Sequence, residues 1–355
     1  MLIFDAHLDL SLNAMTYNRD LRQSVRRIRQ EESGESHLAG WGCNTVAFPE
    51  MRKANIGICV ATQLAGCMKP AAAGGGWNSP EQARAMTQGQ LTWYRAMETC
   101  GELRQIRSLA ELESHLQRWQ TDASQTPIGY VLSLEGADSL RTLDDLYESY
   151  EDGLRAIGPA HYGEGRYAMG HDKDGPLSKP CRELLKEMDR LGVILDATHL
   201  CERTFDEALE AFHGTVWASH HNCRALVDDP RQLSDRQIKT LAERNAVIGI
   251  AFDIWMGVPG WQRLVSNHSN YVDANLMALT NHVDHICQLL GNTDHIGIGT
   301  DLDGGFGIEQ TPSDLDTIAD LPVFLDRLRQ KGYGEDDLRK ISHGNFLRVL
   351  RSAWH

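Results

Sequence analysis

The sequence predicts an α/β fold, a (β/α)8 barrel of the TIM type with its active site at the C-terminal ends of the strands. Three observations point there. Eight short, β-branched apolar runs alternate with longer amphipathic segments. The runs are apolar on both faces, as strands of a buried parallel sheet are. The first run leads into His7-Leu-Asp9 rather than a glycine-rich phosphate turn, which disfavours the competing doubly wound open sheet. A chain of 355 residues is long enough for one such barrel. No Pro/Ser-rich linker or composition step divides it, so residues 1–355 are expected to form one domain.

The strand runs, in order, are Leu2–Ala6, Ile56–Thr62, Ile128–Leu134, Leu154–Ala160, Val193–Thr198, Thr215–Ser219, Val247–Phe252 and His295–Thr300. Helix punctuation stands between them. Ser79-Pro-Glu-Gln82 supplies a capping serine, a first-turn proline and a glutamine able to close a capping box. Ser178 opens a helix over Lys179–Leu191, and Gly192 stands where a left-handed C-cap belongs. Ser234-Asp-Arg-Gln237 repeats the capping-box pattern, and Asn270–Leu290 and Pro312–Gln330 read as further helices. Ala71–Trp77 and His161–Leu177 read as long loops of the kind that shape a site.

Composition narrows the function. Lys and Arg number 35 against 49 Asp and Glu, a formal charge of −14, which opposes binding to nucleic acid or anionic membranes. The longest apolar stretches are strand-sized, so no membrane span is expected. Met1-Leu-Ile-Phe-Asp lacks the basic and apolar regions of a signal peptide, so a cytoplasmic protein is expected. The 8 cysteines are widely spaced with no CxxC, and reduced core thiols are expected.

Catalytic groups of a barrel gather where its strands end. His7 and Asp9 close the first run, and their i, i+2 spacing turns both to one side of an extended segment. Glu135 ends the third, where an unpaired carboxylate is costly to bury and could bridge two cations. His161 follows the fourth run, His199 the fifth and His220 the sixth. His221 competes with His220, but only His220 matches the strand-end position of His199. Asp301 follows the eighth run, with Asp303 better suited to forming a turn. Each residue alone fits a structural role. Together, three histidines, two aspartates and a glutamate fit a pair of Zn²⁺ ions activating a shared hydroxide, and hence metal-assisted hydrolysis. No GxSxG elbow is present to suggest a serine nucleophile. Trp255 and Met256, beyond the seventh run, could line a pocket.

The chain resembles the membrane dipeptidase (renal dipeptidase) family of zinc peptidases, within the metal-dependent amidohydrolase superfamily. The resemblance rests on Phe4-Asp-Ala-His7-Leu-Asp9-Leu, Ser133-Leu-Glu135-Gly, Asp196-Ala-Thr-His199, Ala218-Ser-His220-His-Asn-Cys-Arg-Ala-Leu226, Asp229-Pro-Arg231-Gln-Leu-Ser-Asp235, Gly297-Ile-Gly-Thr-Asp301-Leu-Asp-Gly304 and Gly344-Asn-Phe-Leu-Arg-Val-Leu350. It implies a homodimeric barrel that cleaves dipeptides with two Zn²⁺ ions, bridged by Glu135 and a water or hydroxide. His7, Asp9 and Glu135 would hold one ion; Glu135, His199 and His220 would hold the other. Asp301 would carry the proton from the attacking water to the leaving amine. His161 would contact substrate and stabilise the tetrahedral oxyanion. Arg231 would pair with the substrate's C-terminal carboxylate. Four positions depart from the family pattern: Leu8 and Tyr162 replace asparagines, Thr198 replaces a serine, and His221 stands where a serine usually follows the ligand.

Overall fold

The computed structural model describes residues 1–34, 39–67, 76–263 and 265–354. Eight strands form the barrel: β1 (Ile3–Leu8), β2 (Ile56–Leu64), β3 (Ile128–Glu135), β4 (Leu154–Gly158), β5 (Ile194–Asp196), β6 (Val216–Trp217), β7 (Ile248–Ile250) and β8 (Ile296–Ile298). All eight predicted runs are therefore strands. They pair in parallel in the order β7-β8-β1-β2-β3-β4-β5-β6. A parallel bridge between Ala218 and Ile248 joins β6 to β7 and nearly closes the ring. β4 stops at Gly158, short of the predicted Ala160, because Pro159 has no N–H for the ladder. Three short strands go beyond the prediction. Leu103–Gln105 pairs alongside β3, and Gly66–Cys67 pairs with Gly76–Trp77.

Side chains alternate across the barrel wall. Phe4, Ala6, Ile58, Val60, Val131, Ala156, Ile194 and Trp217 share an inner cluster, while Ile3, Ile56, Cys59, Ala61, Tyr130 and Leu132 belong to the cluster packed against the helices. The C-terminal helix Asn345–Ala353 joins the inner cluster. Phe346 stacks on Phe4 with centroids 5.3 Å apart and meets Trp217 edge-on. The strands therefore rest on a packed interior, and the rim of their C-terminal ends is left for chemistry.

The helix signals hold with three corrections. Ser79, Ser178 and Ser234 each accept an amide three residues ahead, and Gly192 is left-handed at φ 69°. Ser234 and Gln237 form a reciprocal capping box, whereas Gln82 reaches the Asn78 amide instead. The helix expected from Asn270 begins at Leu276, because Asn275 caps it by accepting the Met277 amide. The helix expected from Pro312 begins at Leu321, after a 3-10 turn closed by Thr317 and Asp320. Ala71–Trp77 lies largely outside the described residues; its end, Gly76–Trp77, is a strand rather than a loop. Cys43, Cys59, Cys100, Cys181, Cys201, Cys223 and Cys287 are free thiols, but only Cys59, Cys181, Cys201 and Cys223 are buried; Cys100 is exposed on the turn ending its helix. Among the described residues no helix is long and apolar enough to cross a membrane.

Candidate metal centre and active site

Every strand-end residue singled out in the sequence reaches the same end of the barrel. Glu135 is the last residue of β3, and its carboxylate stands between three imidazoles. His199 Nε2 lies 3.1 Å from Oε1, His220 Nε2 3.6 Å from Oε1, and His7 Nε2 3.6 Å from Oε2. Asp9 Oδ2 is 3.8 Å from His7 Nε2. Potential ligand atoms thus fall into two triads, His7–Asp9–Glu135 and Glu135–His199–His220, which share the glutamate. A third grouping, His7–His220–Asp301, overlaps both. Asp301 reaches within 3.8 Å of His7 and 4.0 Å of His220.

The backbone explains this convergence. Asp5 on β1 accepts the Thr300 amide and hydroxyl, tying the end of β8 to the start of the site. Asp196 on β5 accepts the Thr198 and Ser219 amides and so aligns the segments carrying His199 and His220. His199 and Asp301 are left-handed, at φ 67° and 58°. That conformation is costly for a side chain with a Cβ and is held by its surroundings. Beside Asp301, a Cβ on Gly304 would lie 2.0 Å from the Asp301 carboxylate, so the turn requires glycine there. Asp303 has the structural role expected of it, accepting Thr45 N, Thr45 Oγ1 and Val46 N at 2.7–2.9 Å.

Electrostatics favour a cation. Burial, reinforced by Arg231 for His199 and His7 for His220, lowers both imidazole pKa values well below 6.5, keeping the neutral form that ligates metals. Burial pushes the Glu135 carboxyl up, but His7 and His161 more than offset it and bring the group to about 2. Burial raises Asp301 well above the usual carboxylate range. The donors fit a divalent pair on a structural test. His199 Nε2 and His220 Nε2 face each other at 3.1 Å, and buried Asp9 Oδ1 has no hydrogen-bond partner. Cations between these atoms would satisfy both features. Ser219 Oγ meets His220 Nδ1 at 2.9 Å, and His171 Nδ1 meets His199 Nδ1 at 3.3 Å, orienting both rings.

Above this cluster opens a cavity of about 610 Å³. One wall is apolar, with Leu12, Met15, Leu64, Trp77 and Met86. The other carries His161, Tyr162, Arg231, Asp253, Trp255 and Arg263. Arg231 is 1% exposed, yet it lines the cavity. It donates to His220 O at 3.0 Å and meets His221 Nδ1 at 3.0 Å, leaving guanidinium N–H groups for a ligand. His221 thus braces Arg231 and lies outside the ligand triads, which include His220.

A family model described as membrane dipeptidase (peptidase family M19) matches residues 1–354. The chain belongs to this family. It is similar to an uncharacterized protein in the pqqA 5′ region of Klebsiella pneumoniae, 27% identical over 264 residues that cover 72% of this chain and 91% of that one. It is also similar to dipeptidase tcpJ of Claviceps purpurea, 27% identical over 233 residues, covering 63% of this chain and 52% of that one. The match thus spans about half the length of that dipeptidase. A metallo peptidase from Rhodobacter sphaeroides, liganded with a phosphinate mimic of the dipeptide L-Ala-D-Ala, shares the fold. Its TM-score is 0.79 at 22% identity, covering 100% of this chain and 99% of that one.

In this member of the membrane dipeptidase family, four cavity or ring-bracing residues lie beyond those picked out in the sequence. Asp253 follows β7 and was reachable by the strand-end criterion. Tyr162 was visible as a departure from the family pattern, but without a role. His171 lies in the His161–Leu177 loop expected to shape a site but was not itself singled out, and Arg263 carried no sequence signal. Trp255 and Met256 line the cavity as their place after the seventh run suggested.

Proposed function

We propose that the chain is a binuclear zinc dipeptidase that hydrolyses the peptide bond of short peptides with a free C-terminal carboxylate, including dipeptides ending in a D-residue. One observation carries the reading: two metal-ligand triads meet at a single shared carboxylate, Glu135, beneath a cavity. His7, Asp9 and Glu135 would hold one ion, and Glu135, His199 and His220 the other. When bound, such a pair supplies Lewis acidity and an activated water.

The chain's own groups supply the rest. Arg231 pairs with the substrate carboxylate and fixes the scissile bond above the shared glutamate. His161, facing the cavity with its ring centroid 4.7 Å from that of His199, donates to the developing oxyanion. Asp301 accepts the proton of the attacking water and returns it to the departing amine. The likeness to a structure holding an L-Ala-D-Ala mimic motivates the D-residue. The homodimer and the cytoplasmic setting belong to the same proposal, and light scattering of the purified protein tests the first.

The deciding experiment is hydrolysis of a panel of L,L- and L,D-dipeptides by zinc-loaded protein, with metal content measured in parallel and Glu135→Gln as the blank. Turnover that disappears in the variant together with bound zinc supports the reading. Two bound ions without dipeptide turnover would refute it and favour another small amide, such as an N-acyl amino acid or a lactam.

A further inference from the structure

The polar wall of the cavity holds a second guanidinium that the proposed reaction does not use. Arg263 lines the cavity with Arg231, Asp301 and Tyr162. Its Nη1 donates to Tyr162 Oη at 2.9 Å, and its guanidinium lies 5.8 Å from the Tyr162 ring centroid and 5.6 Å from that of Trp255. Among the described residues it has no ion pair with a carboxylate, and its contacts are this phenol and these two rings. A cation held by aromatic faces and one hydroxyl keeps most of its planar fork free for an anion.

The placement of this fork relative to Arg231 gives it a meaning. Arg231 follows β6 and Arg263 follows β7, neighbours in the barrel, and Tyr162 lies within the electrostatic reach of both. The apolar wall rises from β1 and β2, and β2 stands opposite β6 in the ring. On the dipeptidase reading, a dipeptide whose C-terminal carboxylate paired with Arg231 would have Arg263, carried after the neighbouring strand, beside its C-terminal residue. Its N-terminal side chain would then lie toward Leu12, Met15, Leu64, Trp77 and Met86, which line the cavity from the opposite strands. Asp253 and Asp301 are the carboxylates whose charge reaches Arg263, and of these Asp253 stands on the same wall. It is 3% exposed, accepts from Gln310 at 3.2 Å, and leaves Oδ1 without a donor. No hydrogen bond or ion pair joins it to Arg263, although the two charges attract through space and Asp301 adds to that field, so the fork's remaining N–H groups stay unoccupied while its charge is partly balanced. Burial raises the Asp253 carboxyl to about 7, so near neutrality it is in part a hydrogen-bond donor, a second group suited to an incoming carboxylate.

We infer that Arg263 selects dipeptides with an acidic C-terminal residue preceded by a large apolar one, the α-carboxylate going to Arg231 and the side-chain carboxylate to Arg263. This rests on the dipeptidase reading and adds the substrate class to it. A charge-assisted pair of this kind is worth roughly 1.5–3 kcal/mol, which converts to about a 10–100-fold preference.

The test uses zinc-loaded protein and the matched substrates Leu-Glu, Leu-Gln and Leu-Lys, each in L,L and L,D forms. The wild type is expected to favour Leu-Glu over Leu-Gln by about 10–100-fold in kcat/KM, with the difference in KM. Arg263→Met should bring the two to parity, and Arg263→Glu should turn the preference to Leu-Lys. Equal rates on Leu-Glu and Leu-Gln in the wild type would overturn the inference while leaving the dipeptidase reading intact. So would a preference that survives Arg263→Met. A wild-type preference for Leu-Lys would overturn it by making Asp253 the selecting group. Absence of turnover on every dipeptide would overturn the dipeptidase reading itself.

Discussion

His282, buried on the helix Leu276–Leu290, makes an acid-sensitive joint. Its Nδ1 accepts the Cys223 amide at 3.0 Å, and its Nε2 faces the Gly257 carbonyl at 3.1 Å. Only the neutral ring with its proton on Nε2 serves both, because a second proton on Nδ1 would point at an N–H. Burial, only partly opposed by the Gly257 bond, lowers the pKa from 6.5 to about 4. In the unfolded chain the ring titrates near its ordinary value. Between those two values the unfolded state binds more protons than the folded one, so stability rises with pH across that window. Acidification from pH 6.5 toward pH 4 therefore removes stability, and below that both states are protonated and the loss levels off. A gap of this size corresponds to about 3 kcal/mol. His282→Gln keeps an acceptor and a donor but does not titrate. Urea unfolding of both proteins at steps between pH 7 and pH 4 should show the wild type losing about 3 kcal/mol more than the variant. Parallel stability curves would refute the reasoning. Cys223 lies three residues beyond His220, so the same protonation should also loosen the segment carrying a candidate ligand.

Three further outcomes are expected. Asp303→Ala strands two buried amides and removes a charge 3.7 Å from Arg19, which should cost about 3–5 kcal/mol in urea unfolding. Arg231→Ala should lower dipeptide kcat/KM at least about tenfold while two zinc equivalents still bind; metal analysis alongside kinetics separates the effects. Gly170→Ala would place a Cβ 2.0 Å from the His161 carbonyl oxygen, so the loop must shift, and kcat should fall more than zinc content does.

The strands were legible because β-branched runs apolar on both faces have few other homes than a parallel sheet between helices. The ligands were legible because that sheet brings its strand ends together, so His7, Glu135, His199 and His220 share a location before any contact is known. Arg263 and His171 were not, because tertiary hydrogen bonds settle where their loops go. His171 is carried to His199 by a bridge between Gly170 and Leu200 and by the Cys201 amide bonding to Met169 O. No periodicity encodes such a meeting. Helix starts at Leu276 and Leu321 were misjudged for a related reason. Local caps, Asn275 and the Thr317–Asp320 turn, overrode a pattern that extended further upstream.

The depth of the cluster has a consequence for the neighbours of such an enzyme. His7 and His220 are 3% and 1% exposed, beneath a cavity whose lining includes Asp9, Glu135, His199 and Asp301. A peptide bond within a folded protein is embedded in backbone on both sides and cannot descend that far, whereas a fragment with two free ends can. If the proposed function holds, the depth of the site would itself protect folded proteins from cleavage. On the proposed function, the protein would act downstream of other proteolysis, on the short fragments that it releases.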